Sequence, residues 1–382
     1  MKMASERSLR VVCIVGARPN FMKIAPLMRV FRADPGAFDV RLVHTGQHYD
    51  EAMKDAFFRQ LNIPEPDIDL GVGSGTHAVQ TAEIMRRFEP VLDDLEPDLV
   101  LVVGDVNSTI ACALVATKKD ISVVHVEAGL RSGDRRMPEE INRVLTDQIS
   151  DLLFTTEPDG ESNLLREGVD RNRVQLVGNV MIDPLLANRA HAIPAAQPLA
   201  DIDGFSAEKG DFGLLTLHRP SNVDDPAVLR RLLETLVEIS ERLPLVFPIH
   251  PRTRTRVKDA GLDSLLAQGR IGLTEPLGYL QLLGIMEKSR LVLTDSGGLQ
   301  EESTALGVPC ITLRENTERP ITVTEGTNTI VGTDQAKIRR CFDDVMVSGG
   351  KAGRIPDLWD GHAAERIAAR LLEWAERRPD AA

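Results

Sequence analysis

The sequence predicts an α/β protein built from two doubly wound halves whose loops face a shared cleft. Three observations predict it. Short, continuous apolar runs alternate with segments of helical spacing, the pattern of parallel strands buried on both faces. Most of those runs end in polar or charged residues. An Ala/Pro-rich stretch without periodicity, 184–210, divides the series in two.

In the first half, Val11–Val15 is an apolar run that ends in Gly16–Ala17–Arg18–Pro19–Asn20, and helical spacing follows from Lys23 to Phe31. Val40–His44 is a second strand, leading into Thr45–Gly46–Gln47–His48–Tyr49–Asp50. Gly71–Val72–Gly73–Ser74–Gly75 imitates a dinucleotide loop. It has no strong strand before it and its third glycine is out of register, so it reads as a turn before a helix over 76–88. Leu99–Val103 is the clearest buried strand; it ends in Gly104–Asp105, and a helix covers 110–118. Val123–Val126 runs into Glu127. Consecutive parallel strands carry their carboxyl ends on one rim, so Asp105 and Glu127 are expected on the same edge. Glu139 joins them from the segment Met137–Arg143, where Pro138 suits the first turn of a helix. Glu140 reads as a stabiliser of that helix dipole, with Arg131, Arg135, Arg136 and Arg143 nearby.

The second half repeats the scheme. Gly213–Leu217 leads to His218, Leu245–Ile249 to His250, and Ile271–Thr274 to a loop reaching Leu277. The most telling stretch is Leu291–Glu302. An apolar run ends in Thr294–Asp295–Ser296–Gly297–Gly298 and a helix begins. The first N–H groups of that helix lack internal partners, and with the dipole they favour a phosphate. Gly297 and Gly298 let a diphosphate approach closely, Ser296 adds a hydroxyl, and Glu301 or Glu302 is spaced to take ribose hydroxyls. Val308–Leu313 precedes Thr317–Glu318–Arg319–Pro320, and a last helix spans 362–377.

Composition narrows the function. A chain of 382 residues, 42% hydrophobic, can bury two cores. A net charge of −12 argues against nucleic acid or an anionic membrane as the main partner. Cys13, Cys112, Cys310 and Cys341 lack metal-ligand spacing and read as reduced residues of a cytoplasmic protein. No apolar run is long enough to span a bilayer.

Read together, Gly16–Pro19, Thr45–His48, Gly104–Thr109, His125–Arg131, Pro138–Arg143, His218–Arg219, Thr294–Glu302 and Thr317–Pro320 resemble the non-hydrolysing UDP-N-acetylglucosamine 2-epimerases. The motifs occur in order from Gly16 to about Gly332. The resemblance implies the glycosyltransferase-B architecture. A Rossmann-like domain would cover 1–184 together with a helix at about 364–382, and a UDP-binding Rossmann-like domain 185–363. It also implies a homodimer without organic cofactor, and a UDP-sugar as substrate. Carried over by motif, the catalytic candidates are Asp105, Glu127, Glu139 and His218. Arg18, Lys23, Arg143, His250, Leu277, Leu282, Ser296, Gly297, Gly298, Glu302 and Arg319 would bind substrate. The chain departs from many relatives at Asn20, Asp50 and Leu282, and Asp50 falls in the region that many bacterial relatives use for a second, activating substrate molecule.

The implied chemistry suits these residue types. The C2–H of the sugar has no neighbouring carbonyl, so elimination of UDP to a 2-acetamidoglucal must accompany its loss. Re-addition with protonation from the other face completes the epimerisation, which calls for more than one acid/base group. A 2-epimerase of UDP-2,3-diacetamido-2,3-dideoxyglucuronate fits the same motifs, and a hydrolysing epimerase is a further rival. A glycosyltransferase or a catalytically silent UDP-sugar-binding protein does not account for three acids.

Overall fold

The computed structural model describes residues 7–47, 63–200, 202 and 205–377, except for the side chains of Arg18 and Pro19. The chain divides into two compact units, Met1–Pro184 with Leu358–Ala382, and Leu185–Asp357. The return to the first unit falls at Leu358, earlier than the 364 expected from the last helix. The connecting segment itself packs there: Trp359 is buried, and the Leu358 carbonyl accepts a hydrogen bond from Arg366.

The first unit is a seven-stranded parallel sheet in the order β3-β2-β1-β4-β5-β6-β7. Its strands are β1 Leu9–Val15, β2 Phe38–His44, β3 Ile68–Asp69, β4 Leu99–Val103, β5 Ser122–Ala128, β6 Leu152–Thr155 and β7 Val174–Leu176. Every residue of β4 and β5 is buried, as a central parallel strand requires. The order reverses between β1 and β4, which pair from Val11↔Leu99 to Cys13↔Leu101.

Two helices of this unit begin earlier than apolar periodicity predicts. Arg18–Ala33 carries Pro19 in its first turn, and Asn107–Lys118 opens with three buried polar residues. His77–Leu95 follows an N-cap at Thr76, whose hydroxyl accepts the Val79 N–H, and continues through Pro90. Gly71 and Gly73 adopt positive φ before it, consistent with a turn. The last helix, Ala363–Glu376, packs on Arg18–Ala33. The Asp183 carboxylate caps its start by accepting the N–H groups of Ala363 and Ala364 at 3.2 and 2.8 Å.

The second unit repeats the order over six parallel strands, β10-β9-β8-β11-β12-β13. These are β8 Gly213–Thr216, β9 Leu245–Pro248, β10 Ile271–Thr274, β11 Val292–Thr294, β12 Cys310–Thr312 and β13 Asn328–Ile330. Its core gathers Leu215, Phe247, Leu293 and Ile311 from the sheet with Leu232, Leu236, Ile338 and Phe342 from the helices Pro226–Arg242 and Gln335–Ser348. The order reverses between β8 and β11, paired from Val292↔Leu214 to Thr294↔Thr216. In open α/β sheets such reversals are where ligands bind. All four cysteines are free. Among the described residues no helix is long and apolar enough to cross a membrane.

Candidate functional site

Beside the β1/β4 reversal, Gly104 holds φ +66°, and a side chain there would press on Lys23 Nζ and Glu127 Oε2. Asp105 follows it, partly exposed, and forms an ion pair with the buried Arg143. Arg143 stands on the helix Pro138–Ile149 and also reaches Glu140 at 2.6 Å. Glu127 lies in β5 rather than beyond it. The register with β6 passes from Val126↔Phe154 to Ala128↔Thr155, so Glu127 is the extra residue of a bulge. Its φ of +71° is a conformation non-glycine residues adopt at a cost of roughly 1–3 kcal/mol. The bulge frees the side chain from strict strand alternation, and its carboxylate pairs with Lys23 from Arg18–Ala33. Both partners are almost wholly buried.

Asn20 stiffens this corner. Its amide donates to the Val103 carbonyl at 2.9 Å, and its oxygen accepts the Ala17 N–H at 3.1 Å. Gly16 is required where it stands, because any Cβ would collide with the hydroxyls of Thr45 and Ser108. Those hydroxyls bond each other at 2.7 Å, and Ser108 also donates to Gln47. Arg18 opens its helix. His48 to Asp50 lie outside the described residues.

Glu139 is partly exposed in the first turn of Pro138–Ile149. Its neighbour Glu140 is more than a dipole stabiliser. Buried, it accepts the N–H groups of Ser132 and Gly133 at 2.9 Å each, fixing the loop before the helix. Burial pushes its carboxyl up, but those N–H groups and Arg143 outweigh burial, leaving it below the ordinary value. Of the four arginines expected around the acids, Arg143 alone forms an ion pair with a candidate acid among the described residues. Arg131 pairs with Asp147 and Glu167, and Arg136 with Asp134. Arg135 is exposed.

At the β8/β11 reversal the central residue is Asp295, which the sequence placed at a strand end without giving it a role. It is completely buried. Its carboxylate accepts the backbone N–H groups of His218 and Arg219 at 2.9 and 2.8 Å, the Asn222 amide at 3.1 Å and His218 Nδ1 at 3.0 Å. Burial raises its pKa, but the His218 bond and charge together with the backbone donors win, and the net shift is downward. The bond to Nδ1 directs the other ring nitrogen of His218 away from Asp295. His218 remains 40% exposed, and its ring lies 6.0 Å from that of His250. His250 caps the helix Pro251–Asp259 through Nδ1, which accepts the Arg252 N–H at 3.2 Å.

Ser296 is the N-cap of the ten-residue helix Gly297–Leu306, and its side chain makes no capping bond. With Gly297 and Gly298 it remains partly exposed, and a Cβ at Gly297 would meet nothing within 4 Å. The helix N-terminus is therefore open to an anion. Glu301 and Glu302, one turn on, are buried. Glu301 pairs with Arg319 Nε at 2.7 Å, and Glu302 acts on the buried Tyr279 hydroxyl through its charge. Burial first and Glu302 second push the Tyr279 phenol upward. Leu277 and Leu282 are partly exposed beside Tyr279, in the loop and first turn of Tyr279–Lys288. Among the described residues no group of three or more His, Cys, Asp or Glu could hold a metal ion.

Two doubly wound units of one strand order, each with its polar residues at the reversal, define a glycosyltransferase-B-type α/β protein. The sequence model of the UDP-N-acetylglucosamine 2-epimerases matches residues 31–372. The UDP-N-acetylglucosamine 2-epimerase of Methanocaldococcus jannaschii is 43% identical over 371 residues, which covers 96% of this chain and all of that one. A crystal structure of the M. jannaschii enzyme in complex with UDP-GlcNAc and UDP matches with a TM-score of 0.83 at 43% identity, again over 96% of this chain and 100% of its own. The UDP-2,3-diacetamido-2,3-dideoxy-D-glucuronate 2-epimerase of Pseudomonas aeruginosa is 39% identical, covering 96% of this chain and 100% of the relative. The chain belongs to the UDP-N-acetylglucosamine 2-epimerase family.

Proposed function

We propose that this protein interconverts UDP-N-acetylglucosamine and UDP-N-acetylmannosamine, the second unit holding the nucleotide diphosphate and the first handling the proton at C2. The observation that carries the reading is the pair of carboxylates beside β4 and β5, Asp105 and Glu127, each tied to its own cation. A carboxylate held in place by a cation can take a proton and return it.

In the first step the C2–H bond breaks to a carboxylate, and its electrons form the C1=C2 bond of 2-acetamidoglucal. The anomeric C–O pair leaves with UDP. In the second step a proton arrives on the opposite face of C2 while a UDP oxygen rebuilds the bond to C1. Asp105, Glu127 and Glu139 supply the acid/base groups. His218, Arg319 and the N–H groups at Gly297 and Gly298 stabilise the departing diphosphate, with Ser296 as a further donor. Lys23 and Arg143 hold charge on the sugar side, and the motif that carries Arg18 assigns it to substrate binding. His250, Leu277, Leu282 and Glu302 bind the nucleoside end. No organic cofactor enters these steps. The reading extends to a cytoplasmic homodimer, for which the exposed Ile141 and Leu145, one turn apart on Pro138–Ile149, offer apolar surface.

Incubation with UDP-N-acetylglucosamine in D₂O, followed by NMR, tests the reaction. Both epimers with deuterium at C2 are expected; retention of the C2 proton without a second epimer would sink the proposal. The same assay with the diacetamidoglucuronate substrate separates the P. aeruginosa-like specificity from this one.

A further inference from the structure

Next to the candidate acids runs a chain of side chains, buried at His125 and Asp147 and reaching the surface at Glu167, that the steps above leave unused. His125, on β5, has no exposed surface. Its Nδ1 donates to Asp147 Oδ1 at 2.7 Å, and its Nε2 donates to the Gly104 carbonyl at 2.8 Å. Neither partner can donate in return. A carbonyl has no hydrogen, and Asp147 is a carboxylate ion-paired through Oδ2 with Arg131 Nη2 at 2.8 Å, the same oxygen accepting the Gly129 N–H at 3.1 Å. An imidazole ring that donates from both nitrogens is an imidazolium. Arg131 continues the chain with two bonds to Glu167, at 2.9 and 2.6 Å. His125 and Arg131 thus flank the buried Asp147, the pairing that a buried carboxylate requires.

The placement of these bonds matters more than their number. Gly104 immediately precedes Asp105. His125 and Gly129, both tied to Asp147, stand two residues either side of Glu127. We propose that His125, as a buried imidazolium anchored by Asp147, is a positioning residue that clamps the Gly104–Asp105 turn and the Glu127 bulge in one arrangement. The proposal rests on the epimerase reading, which makes those two acids the reacting groups. Misplacing them by about 1 Å would cost on the order of 10²-fold in rate.

The test uses the full-length protein labelled with ¹⁵N-histidine, its His125 signal identified by loss in His125→Gln. At neutral pH, long-range ¹H–¹⁵N spectra of the wild type should show hydrogens on both ring nitrogens. A neutral-tautomer pattern overturns the proposal, and the spectrum that decides it is that of the wild type. In folded Asp147→Asn and His125→Gln, kcat should fall roughly 10- to 100-fold, with KM within about threefold of the wild type. Unchanged kcat in both folded variants, or a fall carried by KM alone, overturns it as well. A wild type that fails to epimerise removes the reading beneath the proposal, while the ring-nitrogen spectrum still reports the charge of His125.

Discussion

In the first unit the residue beside the sheet reversal after β4 is Asp105, partly open and shared with one guanidinium. In the second unit its counterpart after β11 is Asp295, sealed from solvent beneath two backbone N–H groups, an amide and an imidazole. The fold delivers a carboxylate to the same rim both times. Donor number and burial then decide its use. A carboxylate saturated with donors holds the frame in place, as Asp295 holds His218 and the chain after β8. One that keeps a face toward solvent can exchange a proton. Three glycines of the first unit, Gly16, Gly104 and Gly129, accommodate protein atoms, whereas Gly297 leaves room for something else.

The comparison breaks most readily at the acids. Asp105→Asn and Glu127→Gln should each lower kcat by roughly 10²-fold or more, measured as epimer formation. Glu127→Gln should also cost stability, because Lys23 keeps a buried charge whose partner has gone. Near-normal turnover in both variants would remove the proton-transfer assignment. The glycines come next. Gly129 sits at φ +79°, and a Cβ there would strike the Gly160 backbone, so Gly129→Ala should cost about 3 kcal/mol or more by denaturant titration. Gly297→Ala should leave stability within about 1 kcal/mol. Its loss should appear in UDP affinity instead, roughly tenfold by calorimetry, since the methyl group intrudes on the space above the helix N-terminus. Equal UDP affinity would show that this turn is not the anion site.

The smallest effect concerns Glu318. Burial pushes its carboxyl up, but the two bonds from Arg314, at 2.8 and 3.0 Å, outweigh burial and hold it at about 2. Its contribution to stability is complete above the ordinary value of 4.5 and is lost as pH falls through about 2. In that window thermal unfolding of the wild type should steepen with acid by up to about 1.4 kcal/mol per pH unit relative to Glu318→Gln. Parallel curves would remove this pair from the acid response.

Much of this was legible in the residues because central parallel strands are apolar on both faces. β1, β4, β5 and β11 stand out for that reason, and the Ser296–Gly298 turn is marked by its glycines. The short strands β3, β6, β7 and β13 span two to four residues, too few to establish a period, whereas the equally short β11 is marked by the glycine turn that follows it. Helix starts at Arg18 and Asn107 were hidden because the first turns are polar or proline-bearing. The bulge at Glu127 left no trace, since nothing in a glutamate announces positive φ. Pairings across long stretches of chain were equally silent. The loop chemistry around Arg131 suggested the acid rim, yet tertiary packing commits it to Asp147 and Glu167.

The capping of Ala363–Glu376 by Asp183 has a consequence for how the gene could be cut. The carboxylate stands just before the chain departs for its second sheet, and it grips the segment that has just come back. The two points of crossing are therefore neighbours, and the intervening 173 residues behave as an insert in an otherwise continuous first unit. A polypeptide joined directly across that gap should keep its seven-stranded sheet and melt cooperatively.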